Sequence, residues 1–331
     1  PHITPARPRN TLLLLAMTVS VNAEWLREER PAMGTSISVE LWSTDPVAGE
    51  QAIDRVFAEF QRLDQMMNPW NPASELSRIN REAAQGSVTT TPEIIDVVQR
   101  ARLYSRLSEG AFDISFASVG QHYDFRAGKT PGASELAGDR PNIDYRAIVV
   151  EPGPGTIRFD KEGLQIDLGG IAKGYAVDRG IAILRAAGVT SAVVSAGGDS
   201  RILGDMGDRP RTVGIRHPRK EGEFAVLMPL ADTAISTSGD YERFFIADGV
   251  RHHHILDPQT GESARQVQSA SILTGSAMDS DALSTTVFVL GVARGLELVN
   301  SLQGVDAIII DGAGKLHYSQ ELLLSVDAGK D

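Results

Sequence analysis

The sequence contains no cysteine, which excludes disulfide bonds, thiolate metal sites and a cysteine nucleophile. Aromatic residues are scarce, at 6% of the 331 residues. Basic residues are outnumbered, with 32 lysines and arginines against 43 acidic residues and a net charge of −11. Because a nucleic-acid-binding face needs a surplus of cations for the phosphates, we expect no nucleic-acid partner. The 42% of hydrophobic residues is enough for a complete core.

The amino terminus has the pattern of a secretory signal peptide. Arg7 and Arg9 precede an apolar run over 12–21, and the VNA sequence that ends at Ala23 is typical of a small-x-small cleavage site. The run is too short to span a membrane. The alternative is a buried core helix, but few domains begin with four leucines after two arginines. The pattern therefore predicts an exported protein with a signal peptide over 1–23.

The stretch from Gly163 to Gly198 combines strand and helix patterns with glycine pairs. Its predicted parts, in order, are a strand over 164–168, Gly169-Gly170, a helix over 171–187, a strand over 192–195 and Gly197-Gly198. A glycine pair at a helix start leaves backbone N–H groups and the positive end of the dipole for a phosphate. Lys173 lies in that first turn. The glycines fit neither GxGxxG nor a P-loop, so a plain tight turn with a solvated lysine remains the alternative.

The rest of the chain predicts one α+β domain over 24–331. Apolar spacing predicts helices after the cap residues Asp45 and Thr91. Two more helices are expected over 279–289 and 293–302, and the polar segment 120–154 is expected to form loops. Further strands are predicted over 35–41, 212–216, 224–230, 244–246, 250–256, 305–310 and 315–318, with a hairpin turn at Asp248-Gly249.

Asp281 and Thr285 are candidate metal ligands. On a helix they are four residues apart and share a face. A carboxylate and a hydroxyl are hard oxygen ligands of the kind that suits Mg²⁺. The alternative is that Asp279 and Asp281 only stabilise the start of a helix, because acidic side chains interact favourably with the helix dipole there.

Three consecutive histidines, 252–254, are the densest basic feature of the chain. A histidine suits a base that takes up a proton near neutral pH. On a strand, His252 and His254 would point to one face and His253 to the other. A metal-binding histidine tract is the alternative.

In their order, these segments resemble the motifs of the ApbE family, the FAD:protein FMN transferases. The central match is IDLGGIAKGYAVD over 166–178, and the resemblance extends from about Met33 to Tyr318. The other matching segments are MGT over 33–35, SELSRIN over 74–80, GAFD over 110–113, TSGDY over 237–241, HILDPQTG over 254–261 and AMDSDALST over 277–285. Two positions depart from the pattern, Trp70 where tyrosine is usual and Ile114 where proline is usual.

The resemblance implies a fold and a site. The fold is a single T-fold-related α+β domain, mainly antiparallel sheets flanked by helices. Mg²⁺ is expected on Asp281, Thr285 and the carbonyl of Ala172, and His254 and Lys173 are expected to be catalytic. The residues expected to contact FAD are Met33, Trp70, Asp113, Lys173, Gly197, Gly198, Asp199, Ser236, Thr237, Ser238 and His254.

The function implied by the resemblance is Mg²⁺-dependent transfer of FMN from FAD to a threonine hydroxyl of an exported acceptor, with release of AMP. The acceptor would be a flavoprotein subunit with a short threonine motif, and membrane contact would occur only through it. Family members are often anchored through a lipid-modified cysteine, so a chain without cysteine is expected to be soluble in the periplasm. The alternatives are an FAD pyrophosphatase, a non-enzymatic flavin-binding protein and a histidine-rich metal carrier.

Overall fold

The computed structural model describes residues 23–207, 209–247 and 249–328. The helices are α1 Pro46–Met67, α2 Glu75–Glu82, α3 Pro92–Leu107, α4 Ala117–Gly120, α5 Ala133–Asp139, α6 Ala172–Ala186, α7 Ala277–Asn300 and α8 Gln320–Ala328. Short 3-10 turns cover Ile114–Phe116, Arg140–Asn142 and Tyr145–Ala147. Apart from Ala23, the expected signal peptide lies outside the described residues, as does Asp248 of the expected hairpin turn.

The strands provide a large sheet and several small ones. They are β1 Glu24–Ala32, β2 Thr35–Ser43, β3 Val88–Thr89, β4 Ile148–Glu151, β5 Thr156–Phe159, β6 Ala192–Ala196, β7 Asp199–Leu203, β8 Arg211–Arg216, β9 Phe224–Leu230, β10 Ala234–Gly239, β11 Phe244–Ala247, β12 Val250–His253, β13 Leu256–Asp257, β14 Glu262–Ser263, β15 Val267–Thr274, β16 Asp306–Asp311 and β17 Leu316–Tyr318. Eight form one sheet in the order β1-β2-β6-β7-β10-β15-β16-β17, and every neighbouring pair in it is antiparallel.

Both faces of this sheet are covered. Helices α1, α6 and α7 pack on one face, and the β8–β9 hairpin and α8 cover part of the other. The central strand β15 is therefore buried at every residue. The expected α+β architecture of mainly antiparallel sheets flanked by helices is confirmed.

Local sequence explains the main helices. Asp45 caps α1 by accepting a hydrogen bond from the Ala48 N–H at 3.2 Å, and Pro46 follows it. The two helices expected over 279–302 are both present within α7, which is interrupted at Gly291, whose φ of 76° is left-handed and non-helical. α7 is long and apolar enough to cross a membrane, with a mean hydropathy of 1.5, but half of that window is buried inside the protein.

Two expectations are wrong. The segment 164–168 is not a strand, because its backbone is paired with side chains instead: Asn80 both donates to the Ile166 carbonyl and accepts from the Ile166 N–H, each at 2.9 Å. The alternation there reflects one buried face rather than a sheet ladder. The segment 120–154 is not only loop, since it contains α5, β4 and two 3-10 turns.

Strand β12 is also shorter than expected. It ends at His253, and the predicted strand over 250–256 resumes only at Leu256 as part of the small β13–β14 pair. The interruption matters because it frees His254 from the alternation of the strand.

Candidate functional site

A cavity of about 700 Å³ opens at one end of the large sheet. Its size lies within the range of small-molecule and cofactor sites. The segments that line it come from distant parts of the chain: the β1–β2 turn, the loop before α2, the start of α6, the β6–β7 turn, β10 and α7. It brings together the expected site residues Met33, Trp70, Asp113, Ala172, Lys173, Gly197, Gly198, Asp199, Thr237, Ser238, His254, Asp281 and Thr285.

A buried charge cluster lies on the cavity wall. The Lys173 ammonium lies 2.9 Å from Asp199 Oδ2 and 3.2 Å from each carboxylate oxygen of Asp281. Both carboxylates are nearly inaccessible, at 2% and 3% exposure. One cation faces two anions, so the ionised cluster holds an excess of negative charge that a second cation would balance.

Electrostatics at the cluster agree with this excess. Burial, followed by the charge of Asp199, raises the pKa of Asp281 well above its usual range, although Lys173 opposes the shift. Burial alone would lower the pKa of Lys173, but Asp199 and Asp281 outweigh it and raise that pKa. The lysine is therefore firmly protonated and marks a position that favours cations.

Asp281 and Thr285 both lie in the first turns of α7, as the spacing predicts. The Thr285 hydroxyl lies 3.2 Å from Ser238 Oγ, which also pairs with Ser284 Oγ at 2.8 Å. Ala172, the third expected ligand, is the first residue of α6 and lines the same cavity. In the described residues no three His, Cys, Asp or Glu side chains are grouped as a metal site. A metal here would depend on one carboxylate together with hydroxyl and carbonyl oxygens, a donor set that fits Mg²⁺.

The structure does not place Ser236 in the cavity. Its side chain is fully buried in β10, and its hydroxyl pairs with Ser280 Oγ at 2.7 Å in the interface with α7. Ser236 and Ser238 share the face of β10 that packs on α7, but only Ser238 lies far enough along the strand to reach Thr285 and the cavity. Ser236 is therefore a core residue, whereas Thr237 and Ser238 line the cavity.

The turn before α6 offers fewer N–H groups than its glycines suggest. The Gly169 N–H donates to Asp167 Oδ1, the Ile171 and Ala172 N–H groups donate to the Leu168 carbonyl, and the Gly174 N–H donates to Asp281. Within the described part of the chain, the Gly170 N–H is left without a partner. A phosphate at this turn would consequently depend mainly on the Lys173 ammonium.

The second glycine pair lets two backbones meet. A Cβ on Gly198 would lie 2.6 Å from the Thr237 carbonyl oxygen, and one on Gly197 would lie 2.9 Å from Thr35 Oγ1. Gly197 also has a positive φ of 61°. These glycines bring the β6–β7 turn against the cavity-lining end of β10.

The three histidines have three different environments. His253 is buried and pairs with the Ala264 carbonyl through Nε2 at 2.6 Å, and His252 stacks on Phe245. His254 lines the cavity, and its buried Nδ1 has no partner among the described residues. Because the side chains diverge, they do not form the metal-chelating tract considered as an alternative.

His254 is less basic than expected for a neutral-pH base. Burial, with smaller contributions from the charges of Arg243 and His253, lowers its pKa to about 3. The imidazole is therefore neutral at physiological pH, with a ring nitrogen available as an acceptor. An anion in the cavity would raise this pKa, since it favours the imidazolium form.

Trp70 and Asp113 both line the cavity, but they differ in how much of the side chain a ligand could contact. Trp70 is 71% exposed at the cavity mouth, held by a loop whose carbonyls bind the Ser74 and Ser77 hydroxyls. Asp113 is buried, and its oxygens accept from Ser115 and from the Tyr145 N–H. Asp113 thus shapes the wall by fixing the 3-10 turn, and its hydrogen-bonding capacity is already used.

Several motif residues have structural partners. Glu75 accepts from the Thr91 N–H at 2.7 Å, whereas Arg78 donates to the Thr89 carbonyl, so the two are not an ion pair. Asp240 pairs with Arg219.

Asp279 does not cap α7 as expected. The helix begins at Ala277, so the cap is Ser276, which accepts from the Asp279 N–H, and Asp279 pairs with Arg100 at 3.2 Å. Its carboxylate is directed to α3 rather than to its own backbone.

Sequence reasoning missed four charged residues that line the cavity: Asp64, Asp167, Glu242 and Arg243. Arg243 follows the TSGDY motif and donates to the Gly34 carbonyl at 3.1 Å, beside His254. Asp167 lies within the central motif, and burial raises its pKa. The available signal was position, since Asp167 lies inside the central motif and Arg243 lies two residues after TSGDY.

Comparison with known proteins places the chain in a family. The model described as "ApbE family" matches residues 33–309. A Treponema pallidum protein called FAD:protein FMN transferase is 33% identical over 297 residues, which cover 84% of this chain and 82% of that protein. A Vibrio cholerae protein of the same name is 30% identical over 302 residues, covering 88% and 89%.

Two solved structures are similar to this protein over most of its length. The crystal structure of the ApbE protein from Thermotoga maritima has a TM-score of 0.83 and 30% identity, and covers 91% of this chain and 99% of its own. The flavin transferase ApbE from Vibrio cholerae has a TM-score of 0.82 and 27% identity over the same shares. The chain therefore belongs to the ApbE family.

Proposed function

We propose that this protein is an FAD:protein FMN transferase that moves FMN from FAD to a threonine hydroxyl of an acceptor protein. The curated relatives carry that name, and solved relatives are called flavin transferases. The observation that carries the proposal is the charge cluster of Lys173, Asp199 and Asp281 on the wall of a cavity that also contains His254 and Thr285. Such a cluster suits a pyrophosphate and a cation together.

Asp281, Thr285 and the carbonyl of Ala172 would hold Mg²⁺. The fit depends on the hard oxygen donors and on the excess negative charge that Lys173 leaves uncompensated. When bound, Mg²⁺ would offset the charge that builds up on the pyrophosphate as its bridging bond breaks.

The side chains of the protein would orient and activate the reactants. The Lys173 ammonium would bind the pyrophosphate, and Trp70 at the mouth would stack on the flavin ring. His254 would accept the proton of the threonine hydroxyl while its oxygen bonds to the FMN phosphorus. The bridging P–O bond would break, and AMP would leave with the electron pair of that bond.

The acceptor and the compartment are proposals of the same kind. We expect an exported protein that acts in the periplasm on a flavoprotein subunit with a threonine motif, because the first 23 residues have the pattern of a signal peptide. Contact with a membrane would occur only through that acceptor.

Hydrolysis of FAD is the second candidate activity. Trp70 is largely exposed, so the mouth admits water as readily as a protein hydroxyl. The same site would then act as an FAD pyrophosphatase, and the two activities differ only in which hydroxyl reaches the phosphorus.

The test is incubation of the protein with FAD, Mg²⁺ and an acceptor carrying a threonine motif, followed by intact-mass analysis. We expect an acceptor heavier by one FMN unit, and a loss of about 100-fold in rate for Asp281→Ala and on addition of EDTA. Asp279→Asn is the matched control, because Asp279 lies on the same turn but pairs with Arg100 away from the cavity.

Other products would change the assignment. AMP and free FMN with an unmodified acceptor would indicate a pyrophosphatase. Bound but intact FAD would indicate a flavin-binding protein, and His254→Ala would then leave binding unchanged.

A further inference from the structure

Asp178 is the last residue of the central motif, and none of the roles described above uses it. It lies on α6, five residues after Lys173, and its side chain is largely buried. Its carboxylate accepts four hydrogen bonds from other elements. The donors are the Ala277 N–H at 2.9 Å, the Met278 N–H at 3.0 Å, the Ser276 hydroxyl at 2.9 Å and the Arg201 guanidinium.

These bonds cap one helix with a carboxylate from another. The first N–H groups of a helix have no partner within it. Ser276 already caps α7 from its own chain segment, and Asp178 adds a full negative charge at the positive end of the same dipole. The cap therefore fixes where α7 begins relative to α6.

The contact is reciprocal. Asp281 of α7 accepts from the Gly174 N–H of α6 at 3.0 Å, while Asp178 of α6 accepts from the first N–H groups of α7. Between these contacts the backbones nearly touch, since a Cβ on Gly174 would lie 2.1 Å from the Ala277 carbonyl oxygen. Each of the two helices thus carries a carboxylate that accepts hydrogen bonds from backbone N–H groups of the other helix.

The Asp178 contacts join the same three elements as the charge cluster. Helix α6 supplies Lys173 and Asp178, α7 supplies Asp281 and the capped N–H groups, and β7 supplies Asp199 and Arg201. Asp199 and Arg201 are two residues apart on their strand and so share a face. The Asp178 contacts therefore hold together the three elements that carry the charged groups of the cluster.

We propose that Asp178 is a positioning residue that sets the separation of the proposed metal ligands: Ala172 on α6, and Asp281 and Thr285 on α7. The inference rests on the proposed metal site. Asp178 itself would contact neither the metal nor the substrate. An ordinary helix cap would contribute to stability alone, whereas a positioning residue also determines metal affinity.

The test compares Asp178→Asn with Asp45→Ala in the full chain. Asn keeps the size but replaces one carboxylate oxygen with an amide NH₂, which cannot accept from N–H donors, so part of the cap and its negative charge are lost. Asp45→Ala removes the cap of α1, which carries none of the three proposed ligands. Mn²⁺ binding without FAD is measured by electron paramagnetic resonance, thermal midpoints by circular dichroism, and FMN transfer as a function of Mg²⁺ concentration.

We expect Asp178→Asn to weaken Mn²⁺ binding about tenfold, the lower end of the effect of losing an outer partner of a metal site. Transfer at saturating Mg²⁺ should stay within about threefold of wild type, because excess metal restores occupancy. Asp45→Ala should lower the thermal midpoint comparably and bind Mn²⁺ like wild type. Equal Mn²⁺ affinity in wild type and Asp178→Asn would overturn the inference.

Arg201→Gln covers the case in which Asp178→Asn does not fold. It removes the link to β7 while leaving the α7 cap intact, and a weakening of Mn²⁺ binding of about threefold is expected; no change would count against the inference. Failure of the proposed function gives a different result, in which wild type binds Mn²⁺ but modifies no acceptor. A wild type that binds no Mn²⁺ would refute the positioning role directly.

Discussion

At the scale of single residues, the position of Lys173 decides the chemistry of the cavity. Its ammonium separates two carboxylates that are each almost fully buried. Without it, Asp199 and Asp281 would face each other with no counter-ion, and burial would favour protonation of one of them. Lys173 therefore has two effects, since it opposes the rise in the pKa of Asp281 and supplies a cation for an anionic ligand.

Replacing Lys173 with methionine tests both effects. We expect a loss of about 3 kcal/mol in the free energy of unfolding without divalent cations, because a buried ion pair is broken from one side. Mg²⁺ should restore part of that loss by replacing the missing cation, and FMN transfer should fall at least about tenfold. Urea unfolding with and without Mg²⁺ measures the first effect. Lys220→Met is the control, as Lys220 and Glu223 form an exposed pair.

The buried histidines predict a loss of stability in acid. Burial lowers the pKa of His253, and burial lowers that of His254 to about 3. The unfolded chain, with histidine pKa values near 6.5, binds more protons than the native state between about pH 3 and pH 6.5. The free energy of unfolding should therefore decrease as the pH is lowered through that window, by up to about 1.4 kcal/mol per pH unit for each histidine.

Urea unfolding between pH 4.5 and pH 8 measures this slope. His254→Asn should flatten it, because asparagine does not titrate. His253→Asn should flatten it as well, because burial also lowers the pKa of His253. An unchanged slope in His254→Asn would show that other groups cause the acid sensitivity.

At the scale of elements, the crossing of α6 and α7 determines the site. Gly174 permits the two backbones to approach, and no other residue fits, since any Cβ would overlap the Ala277 carbonyl. The crossing places the start of both helices, and with them Lys173 and Asp281, against the same cavity wall. The site is therefore a property of two helix starts rather than of one loop.

Gly174→Ala should separate the helices. The added methyl group lies 2.1 Å from the Ala277 carbonyl oxygen before relaxation, so we expect a loss of about 3 kcal/mol in the free energy of unfolding and weakened metal binding. Gly138→Ala is the matched control. Gly138 lies in α5 with no atom within 4 Å of the new methyl group, so alanine should leave stability unchanged or raise it by about 0.5 kcal/mol.

Helices and strands differ in how well their own local sequence predicts their secondary structure. α1 and α7 are predictable because their periodicity, caps and glycine are local signals. The segment 164–168 is not, because its partner is the Asn80 side chain, 86 residues away, rather than another strand. Ser236 was misplaced for a related reason, since the motif indicates which residues lie near the site but not how far along β10 the cavity extends.

At the scale of the whole molecule, the cavity depends on long-range assembly. The order of the large sheet brings β2 beside β6 and β7 beside β10, so that the β1–β2 turn, the β6–β7 turn and the end of β10 line the same cavity. Length, composition and motif order predicted the family and the class of fold. The sheet order, the Arg243 side chain beside His254 and the Asp178 contacts required the structure, because each depends on residues far apart in sequence.

Ligand binding should stabilise the whole domain. FAD and Mg²⁺ at about 100 times their dissociation constant should raise the free energy of unfolding by about 2.7 kcal/mol, provided that only the native state binds. For a chain of this size the thermal midpoint should then rise by about 5 °C. EDTA should remove most of the shift, and Asp281→Ala should show little of it. A shift equal in both proteins would place the ligand elsewhere.

The positions of the three tryptophans make intrinsic fluorescence a signal of ligand binding in the cavity. Trp25 and Trp42 pack against each other in a tilted arrangement, with ring centroids 5.5 Å apart, at the end of the β1–β2 pair opposite the turn that lines the cavity. That end lies about 25 Å from the turn, given the rise per residue of a strand. Trp70 alone stands at the mouth, exposed to solvent. Trp70 is therefore the tryptophan whose emission should respond most strongly when the cavity fills, and quenching of the unlabelled protein would follow binding and release.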